Sequence, residues 1–163
     1  MEAAKKMELG VGYTLTFTRE FEAPRELVFR AWTDPIHLAK WWGPEGFTNP
    51  VCEFEARPGG RINIDMTAPD STVYPMSGEV LEIEPPARLV FTSTAFQGAD
   101  GPPGLKAVNT VTFVEAGDRT TVSLQARVVR AVPEVMDALA GMEAGWTQSL
   151  ERLAETVDAI YSE

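Results

Sequence analysis

The sequence predicts an α+β fold, in which a curved antiparallel sheet of about six to seven strands wraps around a long C-terminal helix. Three observations predict it. Residues 47–130 alternate between strand-like runs and turn residues. An amphipathic pattern with helical spacing follows over residues 133–160. Two short helical segments come directly after the first strand. The sheet and the long helix both need burial, and no other element is large enough to cover either of them.

The N-terminal part of the chain is predicted to hold one strand and two short helices. Alternate positions of YTLTFTREFEAP, residues 13–24, are mostly apolar, which predicts a half-buried strand. A first helix is expected after Pro24, because proline is tolerated at a helix start. Asp34 and Pro35 then form an N-cap and first-turn pair for a second helix. The glycine and proline that follow end this helix near residue 42.

Turn residues divide the middle of the chain into three hairpins. Pro-Gly-Gly at 58–60, Pro-Pro at 85–86 and Gly-Asp at 117–118 mark the predicted tips. A longer Gly/Pro-rich loop spans residues 97–104. We expect this loop to act as a gate, because opening motions concentrate in long loops that contain glycine.

The predicted C-terminal helix, residues 133–160, carries an unusual line of small residues beside its apolar stripe. Gly141 and Gly145 lie next to Ala138 and Ser149 on this line. Each interior glycine costs a helix about 1 kcal/mol relative to alanine. The pattern therefore indicates that another group approaches the helix closely here, or that space is left open beside it.

Composition and charge narrow the class of protein. The net charge of −10 repels phosphate backbones, and no local cluster of Lys and Arg offsets it, which argues against nucleic-acid binding. No stretch approaches the about 18 apolar residues of a membrane span, and the N-terminus has no apolar signal core. We expect a cytoplasmic protein without membrane association. It should consist of a loose tail, residues 1–12, and a single domain, residues 13–163.

Motifs for covalent, metal or phosphate chemistry are lacking in the sequence. His37 is the only histidine and is expected to face solvent on a surface helix, and Cys52 is expected to be a small buried apolar residue. Neither H-x-x-x-H nor C-x-x-C occurs, and Gly59-Gly60 lacks the Lys of a phosphate-binding loop. We therefore predict no catalytic residue, no metal and no cofactor. A buried carboxylate tuned for acid–base chemistry is the enzymatic alternative.

Four stretches in order along the chain carry a family resemblance: APRELVFRAWTDPIHLAKWWGP, PGGRINIDM, SGEVLEIEPPARLVFT and GWTQSLERLAE. Over roughly residues 14–160 the sequence resembles the activator of Hsp90 ATPase-like branch of the START and birch-pollen-allergen (SRPBCC) superfamily. The resemblance implies a helix-grip fold whose sheet and long helix enclose an apolar cavity. It also implies binding of lipids, sterols, polyketides or similar molecules. Because many relatives carry an aromatic residue near Ser93, a small inward-facing side chain there would enlarge the cavity.

Candidate wall residues follow from strand parity, the helix stripe and the tryptophan pair of HLAKWWGPEGF. Adjacent residues on a helix diverge by about 100°, so one tryptophan can fill the core while the other faces the cavity mouth. Methionine suits an adaptable pocket, and ordinary core packing is the competing interpretation at each position. The candidate ligand-binding residues are Trp41, Trp42, Met66, Met76, Phe91, Asn109, Val111, Phe113, Met142 and Trp146.

Three functions remain open on the sequence. The leading hypothesis is binding of a small hydrophobic ligand in the internal cavity. The second is an Hsp90-type chaperone-associated or stress-response interaction module, which the family resemblance implies. The third is a cyclase or hydrolase that uses a buried carboxylate. Size and class make a homodimer the expected assembly.

Overall fold

The computed structural model describes residues 11–97 and 103–162 and confirms the α+β class. Seven antiparallel strands form one curved sheet, and helices pack against it in the helix-grip arrangement. The strands are β1 (Thr14–Phe21), β2 (Thr48–Phe54), β3 (Arg61–Thr67), β4 (Val73–Glu84), β5 (Arg88–Gln97), β6 (Pro103–Ala116) and β7 (Arg119–Ala131). The helices are α1 (Arg25–Thr33), α2 (Pro35–Trp41), a 3-10 turn (Pro133–Val135), α3 (Met136–Ala140) and α4 (Met142–Tyr161).

The strand order explains where the two short helices lie. The sheet runs β1-β7-β6-β5-β4-β3-β2, so the first two strands of the chain occupy opposite edges. Helices α1 and α2 connect these edges, and both contact α4. Asp34 caps α2 as predicted, because its carboxylate accepts a hydrogen bond from the Ile36 N–H at 2.9 Å. The chain that leaves α2 is thereby brought against α4.

The three predicted hairpin turns are confirmed. β2 turns into β3 at residues 58–59, β4 into β5 at 85–87, and β6 into β7 at 117–118. Gly59 and Gly117 have φ values of +79° and +64°. Glycine adopts this left-handed conformation without the steric cost that a Cβ imposes, so both turns depend on it.

The predicted tail, residues 1–12, and the predicted gate, residues 97–104, lie largely outside the described residues. The Gly12 N–H donates a hydrogen bond to the Val128 carbonyl at 2.8 Å. Strand-like pairing thus begins just before the expected domain boundary. A single domain over residues 13–163 stays a prediction.

The prediction of one continuous helix over residues 133–160 is wrong in its first third. A 3-10 turn and the short α3 come first, and α4 begins only after a break at Gly141. The Gly141 N–H shares its hydrogen bond between the carbonyls of Asp137 at 3.3 Å and Ala138 at 3.2 Å. Glycine has high backbone freedom and low helix propensity, which favours an interruption at Gly141.

Aromatic side chains from α1 fill one end of the concave face. Trp32 is 1% exposed, and its ring centroid lies 4.7 Å from that of Trp41 and 6.3 Å from that of Phe113. Phe91 lies 6.4 Å from Trp32, and Phe29 lies 5.1 Å from Phe113. This end of the concave face is therefore filled by packed aromatic side chains.

At Gly78, the main chain of β5 leaves no room for a side chain on β4. A Cβ atom added at Gly78 would overlap the carbonyl oxygen of Thr92, which is main chain and cannot move aside independently. The register between the two strands shifts just beyond this point, between Val80 and Glu82. The close approach thus depends on a residue without a side chain.

We expect Gly78→Ala to lower the free energy of unfolding by about 3 kcal/mol, because the added methyl group forces the two strands apart. Urea denaturation followed by circular dichroism measures this. Gly117→Ala is the matched control, since it meets no neighbour within 4 Å and incurs only the left-handed backbone cost of about 1 kcal/mol. Equal losses in the two variants would contradict the steric argument.

Candidate functional site

A cavity of about 870 Å³ lies between the open end of the concave face, helices α3 and α4, and the segment after α2. This volume falls within the range of small-molecule sites in proteins. The segment after α2 contributes Trp42, Gly43, Pro44 and Phe47 to the wall. Tyr74 also borders the cavity and is 41% exposed, which places an opening at the start of β4.

The line of small residues on the C-terminal helices faces this cavity. Ala138, Gly141, Gly145 and Ser149 all border it. A Cβ added at Gly145 would meet nothing within 4 Å, and one added at Gly141 would come no nearer than 3.7 Å to a carbonyl oxygen. Of the two alternatives that the sequence left open, unfilled space beside the helix is the one the structure has.

The structure brings five of the predicted site residues together on the cavity wall: Trp42, Met66, Met76, Met142 and Trp146. They come from β3, β4, α4 and the segment after α2. Trp42 and Trp146 meet edge to face, with ring centroids 5.4 Å apart and an interplanar angle of 81°. The two tryptophans form one aromatic corner of the wall.

The other five candidates, Trp41, Phe91, Asn109, Val111 and Phe113, are buried and do not border the cavity. Strand parity placed the four strand residues on the concave face correctly, but it could not show how far α1 reaches along that face. Trp32 of α1 covers Phe91 and Phe113. Trp41 faces the core and donates its indole N–H to the Ala31 carbonyl at 2.9 Å.

Trp41 and Trp42 have different surroundings, because Trp41 is the last residue of α2 and Trp42 is its C-cap with an extended backbone. Trp41 is fully buried in the core, while Trp42, 8% exposed, forms part of the cavity wall. The indole N–H of Trp42 is buried without a hydrogen-bond partner among the described residues. Among the described residues, the Trp42 side chain therefore makes ring contacts but no hydrogen bond.

Several residues of the cavity wall are not among the ten ligand-binding candidates predicted from the sequence. Ser93 and Ala95 of β5 pair across the sheet with Ala107 and Leu105 of β6, and all four border the cavity. Three of these four side chains, those of Ser93, Ala95 and Ala107, are small and leave space in front of the concave face. A run of small residues on paired strands was the available signal. Ser93, singled out from the resemblance, is indeed on the wall.

The charged and amide residues beside the cavity point away from it. Asn63 and Asp65 alternate along β3 with Ile64 and Met66, which belong to the core or pack against it. Successive side chains of a strand face opposite sides, so those of Asn63 and Asp65 are turned to the convex face. They border the cavity through their main chain. The described wall contains no lysine, arginine or histidine.

Arg152 holds the segment after α2 against α4. Its guanidinium donates hydrogen bonds of 2.9–3.3 Å to the carbonyl oxygens of Lys40, Trp42, Gly43, Pro44 and Phe47. Burial lowers the pKa of Arg152, but an arginine stays charged in proteins. Nothing in the sequence around Arg152 indicates that five carbonyls converge on it, so only the structure reveals its role.

Two further contacts join the same segment to α4. Ser149 Oγ accepts a hydrogen bond from the Gly43 N–H at 3.1 Å, and Gln148 Oε1 accepts one from the Glu45 N–H at 3.0 Å. Gly43 and Gly46 have φ values of +96° and +89°. Their left-handed conformations turn the chain sharply enough to present both its N–H and C=O groups to one helix.

Comparison with known proteins identifies the family. The sequence model for activator of Hsp90 ATPase homolog 1-like proteins matches residues 22–158. The chain belongs to this family. The matched stretch includes every described residue of the cavity wall. A comparison with curated proteins found no match.

Solved structures of bacterial proteins share the fold of this AHSA1-family chain. A Chromobacterium violaceum protein is 32% identical with a TM-score of 0.72, over 88% of this chain and 96% of that one. The AHSA1 protein from Silicibacter pomeroyi is 26% identical with a TM-score of 0.75, over 90% and 98%. An Arthrobacter aurescens protein is 26% identical with a TM-score of 0.77, over 90% and 86%.

The residues considered for covalent or metal chemistry lie outside the cavity. Burial raises the pKa of the Cys52 thiol to about 11, so the reactive thiolate is scarce at neutral pH. The side chain of His37 is 18% exposed, less than expected, and its Nε2 lies 4.0 Å from an Asp34 oxygen. Among the described residues no group of three His, Cys, Asp or Glu side chains could hold a metal ion. No described helix is both long and apolar enough to cross a membrane.

We expect Arg152→Ala to lower the free energy of unfolding by about 3 kcal/mol. The substitution removes charge-assisted hydrogen bonds, worth about 1.5–3 kcal/mol each when isolated but not additive when they share one group. Urea denaturation measures the loss.

Arg119→Ala is the matched control for this variant. Arg119 is 56% exposed and pairs only with Glu20 and Glu22 at the surface. Such pairs contribute less than about 1 kcal/mol. An Arg152→Ala variant as stable as Arg119→Ala would show that the segment after α2 does not depend on the guanidinium.

Proposed function

We propose that this AHSA1-family protein binds a small hydrophobic ligand, such as a lipid or polyketide, in the cavity between the sheet and the C-terminal helices. One observation carries the proposal: a cavity of about 870 Å³ whose wall is predominantly apolar. Filled cores leave few voids larger than a water molecule, so a space of this size requires an occupant or a reason. The interior glycine that leaves it open costs helix stability.

Burial of apolar surface supplies the driving force for such binding. Each Å² of apolar ligand surface removed from water contributes about 25 cal/mol, so about 300 Å² gives roughly 7 kcal/mol before the costs of association. The aromatic corner of Trp42 and Trp146 and the three flexible methionines provide a wall that adapts to ligand shape. We propose these five side chains as the ligand contacts.

The family description favours a second candidate, a chaperone-associated module. Val73 and Tyr74, which are adjacent on β4, border the cavity, and other exposed large apolar residues, such as Ile36, Val114 and Tyr161, come from different elements. Scattered residues of this kind are usual in soluble proteins and do not by themselves indicate a docking surface. The cavity therefore supports the ligand-binding function better. Co-purification with an Hsp90-type chaperone would support the second candidate.

We also propose a cellular location and an assembly state for the protein. We place it in the cytoplasm, where a single unpaired cysteine such as Cys52 stays reduced. A homodimer remains the proposed assembly, to be measured by analytical ultracentrifugation. A cyclase or hydrolase would need an inward-facing carboxylate, and Asp65, the acidic residue on the described wall, is turned to the convex face.

Native mass spectrometry of the protein purified gently from its own host tests the proposal directly. A discrete additional mass that is lost on denaturing extraction, and that extracts as an apolar small molecule, would support it. The same preparation is then titrated with N-phenyl-1-naphthylamine, an uncharged apolar dye that fluoresces when buried. A protein that carries no added mass and does not bind the dye would overturn the proposal.

We expect substitutions at Gly145 to have graded effects on the cavity. Gly145→Ala should raise the free energy of unfolding by up to about 1 kcal/mol, because alanine favours the helix and its methyl group meets nothing within 4 Å. Gly145→Phe should project into the cavity and weaken dye binding at least tenfold, with the fold intact by circular dichroism. Fluorescence titration measures both dissociation constants. Unchanged dye affinity in Gly145→Phe would place the dye elsewhere.

A further inference from the structure

The cavity wall carries a polar pair, Ser93 and Asn109, on the concave face of the sheet. Ser93 is half-buried on β5 and borders the cavity, while Asn109 is fully buried beside it on β6 and does not border the cavity. Asn109 Nδ2 donates a hydrogen bond to Ser93 Oγ at 3.0 Å and approaches the Phe91 carbonyl at 3.4 Å. Asn109, which does not itself border the cavity, thus fixes the position of the serine hydroxyl.

One hydrogen-bond donor of this pair has no partner among the described residues. A serine hydroxyl can accept two hydrogen bonds and donate one. Ser93 Oγ accepts from Asn109, and no described residue accepts the Ser93 hydroxyl proton. The Oδ1 atom of Asn109 is buried without a partner among the described residues. Because its one contact with a described residue is to Asn109, outside the cavity wall, the Ser93 O–H is available to a group inside the cavity.

The charge around the cavity restricts what that group can be. The described wall offers no lysine, arginine or histidine, and the whole chain has a net charge of −10. A ligand carboxylate or phosphate would therefore be buried without a counter-charge, which is strongly unfavourable. An uncharged oxygen that only accepts a hydrogen bond, such as a ketone or ester carbonyl, incurs no such cost and matches the free donor.

We infer that the cavity selects an uncharged apolar ligand with an acceptor oxygen, which receives a hydrogen bond from the Ser93 hydroxyl. Asn109 is the positioning residue that holds this hydroxyl. The inference rests on the proposed function and specifies the chemical class of its ligand. Long-chain fatty acids, which carry a carboxylate at neutral pH, are disfavoured.

Competition against N-phenyl-1-naphthylamine tests the inference at pH 7.5. The competitors are 2-decanone and decanoate, which have the same chain length and differ in the charge of their polar end. We expect 2-decanone to displace the dye from the wild-type protein, and decanoate to need at least a hundredfold higher concentration. Ser93→Ala, which removes only the hydroxyl, should weaken 2-decanone about fivefold, the usual effect of one hydrogen bond. Its affinity for the dye, which has no acceptor oxygen, should fall less than its affinity for 2-decanone.

The double variant with Ser93→Ala and Asn109→Ala distinguishes a positioning role of Asn109 from a purely structural one. If Asn109 acts through Ser93, Asn109→Ala loses more affinity for 2-decanone than for the dye, and the double variant loses no more than Ser93→Ala alone. Equal binding of 2-decanone and decanoate, or unchanged 2-decanone affinity in Ser93→Ala, would overturn the inference and leave the proposed function standing. Failure of both 2-decanone and the dye to bind would overturn both.

Discussion

The hydrogen bonds from Arg152 to the chain after α2 are the constraint on which the cavity depends. Helix α2 ends at Trp41, and the next residues leave several carbonyl oxygens without helical partners. The two Nη groups of one planar guanidinium carry four N–H donors in a fixed geometry and contact all five carbonyls, with one N–H shared, which a lysine with three donors cannot match. Because Arg152 belongs to α4, satisfying these carbonyls also fixes Trp42 opposite Trp146. The wall and the helix are thereby positioned by the same contact.

The two ends of the concave face differ in how densely they are packed. At one end, Trp32 and its aromatic neighbours fill the volume under α1 completely. At the other end, small side chains on β5 and β6 face small residues on α3 and α4, and nothing fills the gap between them. The first end supplies buried core, and the second supplies the space for the proposed ligand. Both ends belong to one continuous sheet, so the cavity has a rigid support.

Local sequence signals were sufficient wherever the structure is decided by neighbours in the chain. The hairpin turns, the cap of α2 by Asp34 and the divergence of Trp41 and Trp42 all follow from backbone preferences or helix geometry. Strand parity likewise assigned Phe91 and Phe113 to the concave face. Parity could not predict that α1 covers them, because the reach of a helix along a sheet depends on contacts between residues far apart in sequence.

By itself, the sequence determined the fold class, the order of the elements and the presence of a line of small residues on the C-terminal helix. These features depend on periodicity and on the conformational limits of glycine and proline, which are local properties of the chain. Only the tertiary structure decided that the line of small residues faces open space, that Arg152 gathers five carbonyls, and that Ser93 carries a free hydroxyl donor. Each of these depends on which distant groups come together, and that is determined by packing.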